Sequence, residues 1–173
     1  MSASPEGTAR ADEIVVGVDT STPSRAALRW ALREADGTGR VVRAVLVWNP
    51  APLFAGPAPA YEPIGPVRAE YRAELERAVA EVVGPRPPVG VTTEVLEGDP
   101  ADELARRADG AALLVLGSHG RGRLRATFLG SVALGCVRHA TCPVLIIPPA
   151  LAGRAEAPAP VADAVPTPQV VGS

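Results

Sequence analysis

The clearest absence in this 173-residue chain is lysine, because all 17 basic residues are arginine. Mechanisms that depend on a lysine, such as a Schiff base or the lysine of a Walker A loop, are therefore excluded. Aromatic residues make up only 3% of the chain, so a core must be built from alanine, valine and leucine. The formal net charge of −2 argues against a nucleic-acid partner held by bulk positive charge.

Signals for disulfide cross-linking, secretion and membrane insertion are missing as well. Two cysteines, Cys136 and Cys142, are too few for a disulfide scaffold. The N-terminal segment carries acidic residues and lacks the apolar region of a secretory signal. The longest apolar runs, Ala111–Leu116 and Val144–Pro149, are far shorter than the ~20 residues that cross a bilayer. We therefore expect a cytoplasmic protein without a membrane partner.

Proline, in contrast, is abundant and clustered, with 19 in the chain. Six prolines fall within residues 50–66, and four lie in an Ala/Pro/Val-rich tail that shows almost no periodicity. We predict disordered ends at residues 1–11 and 151–173 and one folded domain at residues 12–150. The proline-rich loop 49–66 is unusually long, which indicates either a lid or a tolerated insertion.

Short apolar runs alternate with helical periodicities inside the predicted domain. Strands are predicted at Ile14–Val18, Val41–Trp48, Val89–Leu96, Ala111–Leu116 and Val144–Ile147. Helices are predicted between them, with capping signals at residues 20–24 and at Asp99-Pro100. An apolar stripe at Val67, Tyr71, Leu75, Val79 and Val82 predicts another helix, and a further helix is predicted at Ser131–Arg138. This alternation predicts an α/β fold, with an open parallel five-stranded sheet and helices on both faces. Ligands of such sheets bind at the carboxyl ends of the strands, near Asp19, Trp48-Asn49 and Gly117.

The segment after the fourth predicted strand carries the most specific chemistry. Gly117, Gly120, Gly130 and Ser131 follow the spacing glycine, two residues, glycine, nine residues, glycine-serine. Glycines let the backbone approach a phosphate and point N–H groups at it. A helix that begins near Ser131 adds free N–H groups and the positive end of its dipole. The alternative interpretation is a merely flexible glycine-rich connection.

Two familiar phosphate loops do not fit this segment. A Walker A loop needs a lysine, and the Rossmann fingerprint needs glycines in the first βα turn, Val18–Ser24, where none occurs. Positive charge at the predicted site would come from Arg121, Arg123 and Arg125. The sequence therefore predicts a phosphate site after the fourth strand and not after the first.

Four segments together resemble the universal stress protein family. They are similar to its opening strand, second strand, nucleotide motif and closing strand, at Ile14–Ser21, Val45–Trp48, Leu114–Gly120 with Gly130–Ala133, and Thr141–Ile146. The glycine spacing resembles the ATP-binding branch of the family. The resemblance implies an adenine nucleotide α-hydrolase-like sheet of strand order 3-2-1-4-5. It also implies an ATP-binding regulatory protein of the stress response, and no efficient enzyme.

The resemblance further implies which residues hold the nucleotide. The backbone of Gly17, Val18 and Val47 would line the adenine slot, Leu116 would close it, and Asp19 would hold adenine or ribose. Ribose and phosphates would be held by Gly117, Ser118, His119, Gly120, Arg121, Gly122, Arg123, Gly130, Ser131 and Val132.

A metal and a subunit partner are implied in the same way. Magnesium would be bound by the phosphates and not by a protein cage. The strand Val144–Ile147 would pair with its copy in a second subunit and form a homodimer.

Several alternatives remain open from the residues themselves. Asp19 can cap the following helix instead of, or besides, holding a ligand. For His119, a role in the loop or at the phosphate edge is favoured over catalysis, because the sequence shows no substrate proton within its reach. Cys136, His139 and Cys142 lack zinc-site spacing and a fourth ligand. Alternative functions are a nucleotide-free scaffold and a slow ATP-hydrolysing or adenylyl-transferring enzyme of the same fold.

Overall fold

The computed structural model describes residues 11–49, 64–84, 89–120 and 129–148. Nearly all of the predicted disordered ends and most of the proline-rich loop lie outside these residues. The described elements are β1 (Glu13–Gly17), α1 (Thr22–Thr38), β2 (Val41–Trp48), α2 (Ile64–Val83), β3 (Val91–Glu97), α3 (Pro100–Arg107), β4 (Leu113–Gly117), α4 (Ser131–His139) and β5 (Val144–Ile147). No helix within the described ranges is long and apolar enough to cross a membrane.

The five strands form one parallel sheet in the order β3-β2-β1-β4-β5. This confirms the predicted α/β fold and its strand order. β1 and β4 are neighbours in the sheet although two further strands separate them in the chain. The chain order reverses between them, and sheets of this type bind ligands at such a switch point, outside the carboxyl ends of the strands.

Helices cover both faces of the sheet. α1 and α2 pack on one face, where Ile14, Leu28 and Leu75 are fully buried. α3 and α4 cover the other face, where Leu114 and Cys136 are fully buried. Both cores are mainly aliphatic, as the scarcity of aromatic residues predicts.

The helix bounds differ from the sequence prediction at two points. α1 extends through Asp36 and Gly37 to Thr38, and Gly39 ends it in the left-handed conformation with φ 70°, which glycine adopts without a steric penalty. α2 begins at Ile64, inside the predicted loop 49–66. A proline at position 66 is compatible with this start, because the first N–H groups of a helix have no intrahelical acceptor.

Two strands begin later than the apolar runs that predicted them. β3 begins at Val91 and not at Val89, and β4 begins at Leu113 and not at Ala111. The N–H of Ala111 donates to the carbonyl of Ala108 in a turn at the end of α3. An apolar run shows burial, whereas strand bounds depend on hydrogen bonding.

Four charged side chains form a cluster on the face of the sheet that α3 covers. This ion cluster consists of Glu13 on β1, Arg43 on β2, Glu94 on β3 and Arg107 at the end of α3. Arg107 contacts Glu94 at 2.7 Å and Glu13 at 3.4 Å, and Arg43 contacts both carboxylates. The side chains of Glu13 and Arg107 are only 4% and 8% exposed. The cluster thus links three strands and one helix, with Glu13 at the amino end of β1 and Glu94 in the middle of β3.

Candidate functional site

A cavity of about 410 Å³ opens at the switch point of the sheet. The carboxyl ends of β1, β2 and β4 form its floor, and α2, α3 and α4 contribute residues to its walls. Every predicted site residue in the described part of the chain lines this cavity: Gly17, Val18, Asp19, Val47, Leu116, Gly117, Ser118, His119, Gly120, Gly130, Ser131 and Val132. Arg121, Gly122 and Arg123 lie outside the described residues.

The turn after β1 fixes Asp19 at the cavity. One carboxylate oxygen, Oδ1, accepts hydrogen bonds from the backbone N–H of Ser21 (3.1 Å) and from its hydroxyl (2.6 Å). Ser21 is itself the N-cap of α1 and accepts from the N–H of Ser24. Asp19 therefore holds the residue that caps α1 and is not itself the N-cap, while its side chain also borders the cavity.

Thr20 stands in an uncommon backbone conformation within the same turn. Its φ is 64°, and a β-branched residue in this left-handed region is strained, by about 1–3 kcal/mol. Its hydroxyl donates to Glu74 of α2 at 3.2 Å. The surrounding structure thus holds the first βα turn in a defined shape at the cavity edge.

The first two glycines of the motif allow very close contacts with that turn. A Cβ on Gly117 would lie 2.8 Å from the carbonyl carbon of Pro23 and 2.9 Å from the backbone nitrogen of Ser24. A Cβ on Gly120 would lie 2.7 Å from Oδ2 of Asp19. The glycine loop and the first βα turn therefore touch, and they enclose the cavity between them.

The N-terminus of α4 presents open backbone donors at the cavity. Its N-cap, Gly130, offers no side-chain cap, whereas Ser21 caps α1 and Asp99 caps α3. The N–H of Gly130 donates to the carbonyl of Ser118, which ties this terminus to the glycine loop. The first N–H groups of a helix lack intrahelical acceptors and carry the positive end of its dipole, so this end suits an anion.

Ser118 and His119 form a polar pair in the loop. The Ser118 hydroxyl lies 2.9 Å from Nδ1 of His119. Nε2 of His119 is buried and has no hydrogen-bond partner among the residues that the structure describes. When Ser118 donates to Nδ1, the neutral imidazole carries its proton on Nε2 and can donate it to a ligand.

Backbone groups of Val47 face the cavity because β1 ends early. In a parallel strand, the N–H and C=O of alternate residues point to the same neighbouring strand. The carbonyl of Val45 accepts from Val18 on the β1 side, and that of Trp48 accepts from Gly98 on the β3 side. Val47 lies two residues after Val45, so its N–H and C=O also point toward the β1 side of β2. β1 ends at Gly17, which pairs with Val45. The backbone of Val47 therefore projects beyond the end of β1.

Trp48 and Asn49 also line the cavity, as the position of the end of β2 predicted. Further lining residues were not predicted: Ser24, Val45, Leu46, Tyr71, Pro100, Leu104 and Ala133. Tyr71 belongs to the apolar stripe of α2, which by its spacing predicts only core packing. It stacks on Trp48 with a ring-centroid distance of 5.6 Å and an interplanar angle of 22°. The pattern of apolar and polar residues in the sequence does not predict that Trp48 and Tyr71, which are distant in the chain, contact each other.

The cysteine and histidine residues on and near α4 make their contacts outside the cavity. Cys136 is buried between α3 and α4, and burial raises the pKa of its thiol to about 11. Nδ1 of His139 lies 3.3 Å from Asp102. Within the described ranges, no three His, Cys, Asp or Glu residues are arranged to hold a metal ion.

Comparison with known proteins identifies the family. The sequence model of the Universal stress protein family matches residues 11–148. A universal stress protein of Mycobacterium tuberculosis is 35% identical over 136 residues, which cover 79% of this chain and 48% of that protein. The chain thus spans about half the length of the curated relatives that it matches.

Solved structures share the fold. The universal stress protein UspA from Lactobacillus plantarum has a TM-score of 0.62 and 25% identity, and the match covers 81% of this chain and 99% of that one. A universal stress protein solved in complex with cAMP has a TM-score of 0.55 and 22% identity, with coverage of 82% and 98%. On the family match and the identity to its curated relatives, the chain belongs to the universal stress protein family.

Proposed function

We propose that this universal stress protein is a dimeric ATP-binding regulatory protein of the stress response and not an efficient catalyst. The observation that carries the proposal is the convergence of the glycine loop, the uncapped N-terminus of α4 and the turn at Asp19 on one cavity. The cavity volume, about 410 Å³, lies within the range usual for small-molecule sites.

The phosphates would lie between the glycine loop and α4. The N–H groups at the start of α4 and the hydroxyl of Ser131 supply donors, and Nε2 of His119 supplies another. Arg121 and Arg123 would add positive charge from outside the described residues. This arrangement holds an anion with backbone donors where other nucleotide-binding proteins use a lysine.

Adenine and ribose would lie toward β1 and β2. The backbone of Val47 offers a donor and an acceptor to the adenine edge, Gly17, Val18 and Leu116 would line the slot, and Asp19 would accept from ribose or adenine. The universal stress protein solved with cAMP shares only the fold with this chain at 22% identity. Its ligand nevertheless shows that a protein of this fold can accept an adenine nucleotide.

The charges at the cavity determine how magnesium would be bound and whether a residue could act as a general base. Asp19 is the carboxylate among the described lining residues, so magnesium would be bound mainly by the phosphates and by water. Oδ1 of that carboxylate is already bonded to Ser21, which does not favour its use as a general base. We therefore propose that the nucleotide is retained or sensed and not turned over rapidly.

The homodimer would form through the edge strand β5. β5 pairs with β4 on one side, and Val144, Leu145 and Ile146 are only partly buried. Leu134 and Val137 of the neighbouring α4 are 39% and 52% exposed. An unpaired apolar edge readily accepts another strand. Relatives about twice as long as this chain also suit an arrangement in which two such units associate.

The nucleotide proposal is tested by isothermal titration of the full chain with ATP and magnesium. We expect binding at sub-millimolar ATP, and about ten-fold weaker binding for Ser131→Ala, since a hydrogen bond to a charged group is lost. Thr141→Ala removes a hydroxyl that bonds to Asp109, away from the cavity, and should leave the affinity unchanged. No binding at millimolar ATP overturns the proposal.

Two further measurements test the remaining parts. Native mass spectrometry should show a dimer mass, and a chain that stays monomeric at micromolar concentration contradicts the subunit proposal. Assays for ADP and pyrophosphate should show at most slow release. Rapid turnover would favour an ATP-hydrolysing or adenylyl-transferring enzyme instead.

A further inference from the structure

The cavity has two chemically different ends. The donors at the glycine loop and α4 belong to β4 and its connection, whereas Trp48 and Tyr71 lie at the end of β2 and on α2. β1 separates β2 from β4 in the sheet, so these strand ends are about 10 Å apart, which is two strand spacings. A ligand that occupies both ends must combine an anionic group with a group suited to an aromatic wall.

The end near β2 is unsuited to an anion. Leu46, Val47, Asn49 and the two aromatic residues line it, so its side chains offer one neutral amide, and no arginine lines the cavity among the described residues. Burial of an unpaired phosphate against such a surface is strongly unfavourable. A flat, weakly polar group with a π-face matches this surface far better.

Both members of the aromatic pair pack against the core. Trp48 is 8% exposed and packs within the core between the sheet and the helices α1 and α2. Tyr71 is half-buried and packs against the same core. Their near-parallel stack therefore offers a preformed aromatic wall, so a planar ligand group that packs against it orders few side chains.

We propose that the stacked pair Trp48 and Tyr71 is the base-recognition wall of the cavity and selects ligands that carry a flat nucleobase. The inference rests on the nucleotide function proposed above and adds a specificity determinant to it. Contact with an aromatic side chain stabilises a bound base without the need for hydrogen bonds. The backbone of Val47, next to Trp48, would then distinguish adenine from other bases.

The test compares two ligands that differ in the base alone. AMP and ribose 5-phosphate are titrated into the full-length Trp30→Phe variant, in which Trp48 is the remaining tryptophan. We expect AMP to change the emission of Trp48 and ribose 5-phosphate to leave it unchanged. Tyr71→Leu, which keeps an apolar side chain but removes the ring, should bind AMP roughly ten-fold more weakly and ribose 5-phosphate equally well.

Two variants separate recognition from stability. Tyr71→Phe keeps the ring and should retain AMP affinity within about two-fold. Val82→Ala shortens an apolar side chain of α2 that packs on the core without lining the cavity, and it should not alter AMP binding. The inference is overturned if the wild-type chain binds AMP and Tyr71→Leu binds it equally well. If the wild-type chain binds no adenine nucleotide, the proposed function fails and this inference fails with it.

Discussion

At the scale of single residues, the glycines of the motif have two different roles. Gly117 has backbone atoms of Pro23 and Ser24 at less than 3 Å from the position of a Cβ, so its lack of a side chain serves the packing of β4 against α1. Gly120 has Oδ2 of the Asp19 carboxylate in that place, the end of a side chain that can shift when its hydrogen bonds from Ser21 rearrange. Within one sequence motif, Gly117 therefore serves the packing of the fold, and Gly120 leaves room for Asp19 at the cavity.

Alanine substitutions should separate these two roles. Gly117→Ala is expected to lower the free energy of unfolding by about 1–3 kcal/mol, because backbone must shift. Gly120→Ala is expected to change that free energy by less than about 1 kcal/mol. It should nevertheless weaken ATP binding, because Asp19 is displaced. Urea unfolding and isothermal titration measure the two effects. Greater destabilisation by Gly120→Ala than by Gly117→Ala would contradict this assignment.

At the scale of elements, the alternation of apolar runs and helical periodicities predicted every strand and helix that the structure describes, within three residues at each end. The capping signal at Asp99-Pro100 marked the start of α3 correctly, because capping is local chemistry. The start of α2 at Ile64 was missed, since proline at position 66 signals a loop as strongly as a first helical turn.

Contacts between distant elements could not be predicted from the same patterns. The stripe of α2 that contains Tyr71 shows that this residue faces the interior, but the partner Trp48 follows only from the packing of α2 on the sheet. The ion cluster was also missed, because Glu13 and Arg43 occupy strands whose neighbours in the sequence are apolar. In the site, the glycine spacing located the loop, whereas the aromatic wall depends on tertiary structure.

The packing of α3 against α4 gives a prediction at this scale. A Cβ on Gly135 would lie 2.5 Å from Cβ of Ala101, whereas a Cβ on Gly37, near the end of α1, meets nothing within 4 Å. Gly135→Ala should therefore destabilise the fold by about 1–3 kcal/mol, although alanine favours helix. Gly37→Ala should leave stability unchanged or raise it by up to about 1 kcal/mol.

A second substitution shows whether the cause is steric. Ala101→Gly removes the methyl group that Gly135→Ala would meet. The double variant should therefore lose less free energy of unfolding than the sum of the losses in the two single variants. Urea unfolding of the four proteins measures this coupling. Strict additivity would show that the two helices are not in the close contact described.

At the scale of the whole molecule, the cavity and the most buried carboxylate of the ion cluster, Glu13, lie at opposite ends of β1. The cavity lies at the carboxyl ends of β1, β2 and β4, whereas the ion cluster extends from Glu13, the first residue of β1, to Glu94 in the middle of β3. β1 runs from Glu13 at the cluster to Gly17 at the cavity, a distance of about 13 Å at 3.3 Å per residue. A change in the cluster should thus affect the stability of the fold and leave the geometry of the site intact.

Removal of one charge from the cluster tests this separation. Glu13→Gln leaves Arg107, whose side chain is 8% exposed, with one carboxylate partner instead of two. We expect the free energy of unfolding to fall by about 3 kcal/mol, as for other broken buried pairs. Glu81→Gln removes the exposed pair with Arg25 and should cost at most about 1 kcal/mol. ATP affinity, measured where both variants remain folded, should match that of the wild-type chain. A large loss of affinity in Glu13→Gln would show that the two ends of the sheet are coupled.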